Sequence, residues 1–146
     1  MRLNSYLFRD DWFLAAPAKA VFAAVVDVAA YPQWWSDVRS VRKIDDDTAE
    51  MICQATLPYR LVVRMRRHEE NEHAGRMAVH LDGDLRGSLS AQVLGHARGT
   101  TLLIHQDVEA TKPLLRRLAP VARPVFRLNH ALMMRRGLAG LRARLA

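Results

Sequence analysis

The only long helical pattern in this chain lies at its end. At about 100° per residue, the run after Thr111 places Val121, Ala122, Val125, Phe126, Asn129, Leu132 and Met133 on one stripe. Arg123, Arg127, Arg135 and Arg142 fall on the other side. No segment before Thr111 supports a long helix, so whatever the preceding residues form must be covered by this one. Asn129 sits near the middle of the oily stripe and His130 at its edge, where a packed helix normally carries carbon. Something polar is therefore expected beneath the helix.

The upstream chain reads mainly as strands. Residues 4–14 alternate, with Tyr6, Phe8, Asp10, Trp12 and Leu14 set against Leu7, Arg9, Asp11 and Phe13. Ala15-Ala16-Pro17 ends this run, and Val21, Phe22, Val25 and Val26 give the stripe of a short amphipathic helix that stops near Asp27. Pro32 restricts Tyr31 and can open a second short helix carrying Trp34 and Trp35. Adjacent helical side chains point about 100° apart, which predicts one indole facing inward and the other covering an edge. Such rings either fill a core or line a cavity.

Six further strands are expected over residues 38–44, 48–55, 59–67, 76–81, 85–94 and 100–110, bounded by turn signals such as Asp45-Asp46-Asp47 and Asp82-Gly83-Asp84. Tyr59, Leu61, Val63 and Met65 share one face of their run, and Met77, Val79 and Leu81 face inward from the next. In the last run Leu102, Ile104, Gln106 and Val108 form the apolar side, so Gln106 is a second polar group directed inward. An antiparallel sheet must cover its apolar face, and the terminal helix is the available cover. The class is α+β, and a strongly curved sheet around a helix leaves an internal space.

With 146 residues, half of them hydrophobic, residues 1–146 form most simply a single domain with one core. The single cysteine, Cys53, excludes a disulfide within the chain. Charges interrupt the N-terminal residues before a signal core can form, and no apolar run approaches the ~20 residues of a membrane span, so a soluble cytoplasmic protein is expected. The net charge of +7 is uneven: residues 111–146 carry nine basic side chains and no acid. That arginine face is either simply solvated or a docking surface for an anionic membrane or an acidic partner. Nucleic acid is not expected, because no aromatic stacking residues are interleaved with the arginines. Oligomeric state is left open.

Known catalytic signatures are absent: there is no glycine-rich phosphate loop, no His-Glu-x-x-His and no nucleophile elbow. The six histidines are scattered without ligand spacing, so neither a metal nor a cofactor is expected. The inward polar groups Gln106, Asn129 and His130, with Tyr59 and a tryptophan, mark the candidate site. A histidine there could move a proton near neutral pH, and the amides could hold a carbonyl or polarise an enol. The plainer alternative is that these groups satisfy one another in the core. Asp10 could also reach the interior.

Four stretches carry a resemblance to a known family: Trp12-Phe13-Leu14-Ala15-Ala16-Pro17 with Val21-Phe22; Asp27 through Tyr31-Pro32-Gln33-Trp34-Trp35; Gly83-Asp84-Leu85-Arg86-Gly87; and Thr111-Lys112-Pro113 before the final helix. In that order they resemble the START-like, or SRPBCC, superfamily, especially its polyketide cyclase, dehydrase and lipid-transport branch. The resemblance implies a helix-grip fold, a seven-stranded antiparallel sheet wrapped around a long C-terminal helix with an apolar cavity between them. It also implies a small hydrophobic ligand such as a lipid or polyketide, with only some members acting as enzymes. The cavity is then expected to be walled by Trp12, Trp34 or Trp35, Tyr59, Val63, Met65, Met77, Gln106, Asn129, His130 and Met133. A cyclase in the same cavity would use His130 or Asn129 as its catalytic group. A third reading docks Arg123, Arg127, Arg135 and Arg142 on an anionic membrane. One departure from the family pattern is the pair Pro120 and Pro124: a proline inside a helix costs ~3 kcal/mol, so a short helix over 113–118 should break before a main helix over 122–144.

Overall fold

Period-two alternation resolves into seven strands: β1 (Ser5–Leu14), β2 (Val38–Lys43), β3 (Thr48–Cys53), β4 (Leu61–Asn71), β5 (Arg76–Gly83), β6 (Leu85–His96) and β7 (Gly99–Ala110). The computed structural model describes residues 4–56, 59–113, 117 and 119–146. The strands form one sheet in the order β1-β7-β6-β5-β4-β3-β2, each neighbouring pair antiparallel. Between β1 and β2 the chain makes α1 (Ala18–Val26) and a 3₁₀ turn (Val28–Gln33), and after β7 it closes with α2 (Ala119–Leu145). This is the α+β helix-grip arrangement that the resemblance implies.

Strand parity explains the core. Tyr6, Trp12 and Leu14 of β1, Val63 and Met65 of β4, Met77, Val79 and Leu81 of β5, and Leu102 and Val108 of β7 are all buried. They share the face that meets Phe126, Met134 and Leu141 of α2 and Val21, Phe22 and Val25 of α1. The Gly83-Asp84 corner ties three segments together. Asp84 exchanges hydrogen bonds with the Val62 backbone, its carbonyl accepts from the Thr111 amide, and its carboxylate meets Lys112 at 3.7 Å. The motif therefore sets where β7 turns towards α2.

Three local expectations are corrected. β4 begins at Leu61 and runs on to Asn71, with a register shift between Arg67 and Glu69, so Tyr59 and Arg60 precede the strand rather than starting it. The tryptophans are not carried on a second helix. The 3₁₀ turn ends at Gln33, Trp34 leaves the helical region with φ −130°, and the Trp34 and Trp35 amides both donate to the Tyr31 carbonyl. The final helix is not broken at Pro124, because it already runs from Ala119 and takes that proline into its opening turns. There the missing N–H removes one hydrogen bond, and most of the helix lies beyond it. The short helix expected over 113–118 falls largely outside the described residues.

The buried face of α2 also differs from the expected stripe. Val121 and Val125 are 74% and 44% exposed, and Leu128 is 62% exposed. Phe126 and Asn129 of the expected stripe are buried, and Met134, Gly137 and Leu141 continue that face. Several of its arginines are staples rather than free charges. Arg123 donates to the Ser5 carbonyl at 2.9 Å and lies over the Tyr6 ring, Arg142 donates to the Phe13 carbonyl at 3.1 Å, and Arg144 meets Gln33 at 2.8 Å. No helix among the described residues is long and apolar enough to cross a membrane.

Candidate functional site

Between the sheet and α2 lies a partly enclosed cavity of about 110 Å³. Trp12, Trp34, Trp35, Val63, Met65, Met77, Gln106 and Met133 line it, all of them candidates from the sequence except that only one of Trp34 and Trp35 was expected there. Tyr31, Met51, Cys53, Leu89 and Leu141 complete much of the wall, and sequence reasoning did not assign them to it. Their signal was present as inward strand parity and helix spacing, but it reads equally well as ordinary core. Burial pushes the Cys53 thiol up to about 12, so at neutral pH it contributes an uncharged, carbon-like surface.

Both tryptophans face the cavity, which corrects the expectation of one in and one out. Leaving the helical region after Gln33 lets the two indoles stack, with centroids 5.5 Å apart and planes 18° from parallel. Tyr31 meets Trp34 edge-on, Trp12 meets Trp35 edge-on, and the Tyr31 hydroxyl donates to the Val25 carbonyl. The Trp35 indole N–H donates to the Met133 carbonyl at 2.9 Å. The approach of α2 to this pair requires glycine: a Cβ on Gly140 would lie 1.7 Å from the Trp34 carbonyl oxygen, and one on Gly137 would lie 2.5 Å from the Trp35 ring. Neither glycine was singled out in the sequence, although their i, i+3 spacing puts both on one helical face.

Gln106 is the polar side chain of the wall. Its amide Nε2–H donates to His130 Nε2 at 3.0 Å and approaches the Met134 sulfur at 3.9 Å. Its Oε1 accepts no hydrogen bond among the described residues. His130 stands behind Gln106 rather than in the cavity wall, stacked flat on Phe8 with centroids 3.6 Å apart. Burial lowers the His130 pKa from 6.5 to about 4, so at neutral pH the ring is uncharged and its Nε2 serves as the acceptor.

Asn129 and Tyr59 also lie outside the wall. Asn129 Oδ1 accepts from the Thr56 amide at 3.1 Å, fastening the connection that follows β3 to the helix. The Tyr59 hydroxyl is buried without a well-aligned hydrogen bond among the described residues. Burial and the neighbouring Tyr6 raise its pKa, and the Asn129 amide offsets this in part. Asp10 faces the sheet interior, partly buried, with its carboxyl pKa raised by burial and by Asp11, but it does not reach the cavity either.

A half-buried ion pair ties the loop before β2 to α2. Asp37, 3% exposed, accepts from Arg136 Nε at 2.8 Å and from Arg136 Nη2 at 2.7 Å. The same guanidinium reaches Thr56 Oγ1 at 3.3 Å. Arg136 was counted only as part of the basic helix, because nothing local links residues 99 positions apart. Among the described residues, no group of three His, Cys, Asp or Glu side chains is placed to hold a metal.

The arrangement is thus a small apolar chamber with stacked aromatic walls and one amide facing inward. It can hold a hydrocarbon body and hydrogen-bond one polar group of that body.

Comparison with known proteins places this geometry. A family model described as polyketide cyclase / dehydrase and lipid transport matches residues 14–134. No curated protein sequence matches the chain significantly. Among solved structures, the Zhui aromatase/cyclase from Streptomyces sp. R1128 superposes with a TM-score of 0.76 at 12% identity, covering 97% of this chain and 93% of that one. A START superfamily protein from Mycobacterium smegmatis gives a TM-score of 0.73 at 17% identity, covering 95% and 96%. The protein TTHA0849 from Thermus thermophilus gives 0.73 at 15% identity, covering 97% and 100%. At these identities the likeness is one of fold.

Proposed function

Because the chain belongs to the polyketide cyclase / dehydrase and lipid transport family, we propose that it binds a small, uncharged hydrophobic ligand bearing a hydroxyl group, in the cavity between the sheet and α2. The observation that carries this reading is the wall itself: aliphatic, aromatic and thioether surface, with the Gln106 amide as its polar feature. Such a site takes its affinity from buried apolar area and its orientation from one hydrogen bond. Gln106 Oε1 has a lone pair to offer, and a ligand hydroxyl is the donor that suits it. Replacing Gln106 with leucine should weaken hydroxylated ligands while leaving their plain hydrocarbon analogues bound; equal loss of both would remove the proposed role of the amide.

Polyketide cyclisation in the same cavity is the second reading, supported by the family description and by the Gln106–His130 pair. It is the weaker of the two, because His130 sits behind Gln106 and its Nε2 is engaged by that amide. If it holds, His130→Gln abolishes turnover and leaves ligand affinity within a few-fold; parallel loss of both returns the site to binding alone.

The exposed end of α2 supports a delivery step. Val121, Val125 and Leu128 project into solvent with Arg127 among them, a pairing of apolar and basic groups that suits an anionic lipid surface. Arg135 extends that charge, whereas Arg123 and Arg142 are committed to β1 carbonyls.

A further inference from the structure

At rest the inner chamber encloses only part of a lipid- or polyketide-sized ligand, so the ligand proposed above extends beyond it. About 110 Å³ is less than the ~150 Å³ cavity that accommodates benzene in an engineered core, whereas small-molecule sites usually occupy ~300–1,000 Å³. A second pocket, about 170 Å³ and like the first partly open to solvent, lies where the end of α1 faces β2, β3, β4 and β5. Its interior is apolar, with Val26, Val41, Ala49 and Val79. Met65 and Met77 belong to the walls of both this pocket and the inner chamber.

We propose that the two pockets are one ligand site, divided in the resting protein by the Met65 and Met77 side chains, which swing aside to admit an elongated ligand. Register supports this placement. Met65 pairs with Leu81, and Met77 pairs with Glu70, so the two thioethers lie on adjacent strands on either side of the inward-facing Val79. Both are almost fully buried, and no hydrogen bond or charge among the described residues holds either one. Methionine is unbranched with three rotatable bonds, so moving it asks little of the backbone, unlike the β-branched residues around it. The combined volume approaches the lower end of ordinary small-molecule sites, and the chamber's Gln106 then anchors one end of a ligand whose other end reaches the outer pocket.

The rim of the outer pocket selects what that outer end carries. Asp27, Asp45, Asp46, Asp47 and Glu70 face it against Lys43 and Arg67. Lys43 pairs with Asp46 at 3.9 Å, and Arg67 with Asp47 and Glu70, each at 3.5 Å. The rim therefore keeps a net negative charge and disfavours a carboxylate or phosphate at this end. The ligand class is an elongated, uncharged, mainly hydrocarbon molecule. This inference rests on the binding reading above and adds its route and length.

The test uses two neutral probes, xenon for the inner chamber and N-phenyl-1-naphthylamine for the joined site, read by the ¹³C-methyl signals of the methionines and by probe fluorescence. In the unmodified protein xenon should shift the chamber methionines Met51, Met65, Met77, Met133 and Met134 slightly and together, whereas the naphthylamine should move the Met65 and Met77 methyl signals further, to the positions of a changed rotamer. In Met65→Ile and Met77→Ile, where branching stiffens the partition, naphthylamine affinity should fall about tenfold or more while the xenon shifts persist. Unchanged naphthylamine affinity in folded variants, or binding that moves the Met65 and Met77 methyls of the unmodified protein no further than xenon does, overturns the partition and leaves the chamber standing. Failure of both probes to bind the unmodified protein overturns the binding reading itself. The methyl spectrum of the unmodified protein decides the matter even where an isoleucine variant does not fold.

Discussion

The indole of Trp35 donates its N–H to the main-chain carbonyl of Met133, 2.9 Å away, and so joins the loop after the 3₁₀ turn to the middle of α2. That carbonyl is the one a regular helix offers to residue 137, which is a glycine here. The ring and the helix backbone are therefore in direct contact, and the cavity wall formed by Trp34, Trp35 and Met133 is fixed by that contact.

Replacing Gly140 with alanine should destabilise the protein although alanine is the better helix former. Propensity favours the change by ~1 kcal/mol, but the new methyl would sit 1.7 Å from the Trp34 carbonyl oxygen, which is backbone and cannot swing away. Overpacking of this kind costs ~1–3 kcal/mol, and the severity of the overlap places it at the upper end. A net loss of about 2 kcal/mol is expected in urea unfolding. A gain in stability would mean that α2 does not approach Trp34 as described.

Asp37 and Arg136 should respond unequally to removal. Asp37 is almost wholly buried, while the Arg136 side chain is 39% exposed, so deleting the arginine strands a buried carboxylate whereas deleting the aspartate leaves a cation that can reach water. Breaking a buried pair from the side that leaves the charge inside costs ~3–5 kcal/mol. Arg136→Met is expected in that range, Asp37→Asn clearly below it, and the double variant closer to Asp37→Asn than to the sum. A double-mutant cycle on unfolding free energies checks this.

The lowered pKa of His130 fixes the sign of a pH effect. The folded protein holds the ring neutral down to about 4, whereas the unfolded chain takes up the proton near 6.5. Between these values the unfolded state binds more protons, so the stability due to the neutral ring is complete above about 6.5 and is lost as the pH falls towards 4. The span corresponds to roughly 3 kcal/mol at most. Asp10, whose carboxyl pKa is raised, acts in the opposite sense on the acid side. The comparison is therefore between the parent protein and His130→Gln, whose stability should be flatter between pH 4 and 6.5.

These residues also mark what can be read in a sequence of this kind. Gln106 is legible as an inward residue because a strand has period two, and its apolar neighbours Leu102, Ile104 and Val108 leave one parity for the interior. Met65 and Met77 follow in the same way. The face of α2 was displaced because hydropathy is averaged around a helix: Val121 and Val125 drew the stripe towards themselves, yet Val121 lies open to solvent and Val125 nearly half so. The surface that contacts the tryptophans is set by Gly137 and Gly140, which carry no hydropathy signal. Asn129 and His130 were therefore found to be inward but not correctly aimed. Asp37 and Arg136 meet only through the fold.

Membrane delivery has its own test at the outer face of α2. Cosedimentation with vesicles containing phosphatidylserine should be measurable at low salt and should weaken as salt is added. Leu128→Asp should abolish it without lowering stability, since that side chain is 62% exposed. Sedimentation independent of lipid charge, or unaffected by the substitution, rules out this face as the docking surface.

Ligand binding is tested most directly by native mass spectrometry of the purified protein incubated with a series of uncharged hydroxylated hydrocarbons of increasing length, read beside the melting temperature. The account predicts a one-to-one adduct with a concentration-dependent rise in melting temperature, both lost when the chamber is filled by Ala91→Phe, whose side chain enters from the β6 wall. An absence of any adduct and of any thermal shift across the series, in protein that is folded and free of endogenous ligand, would contradict it.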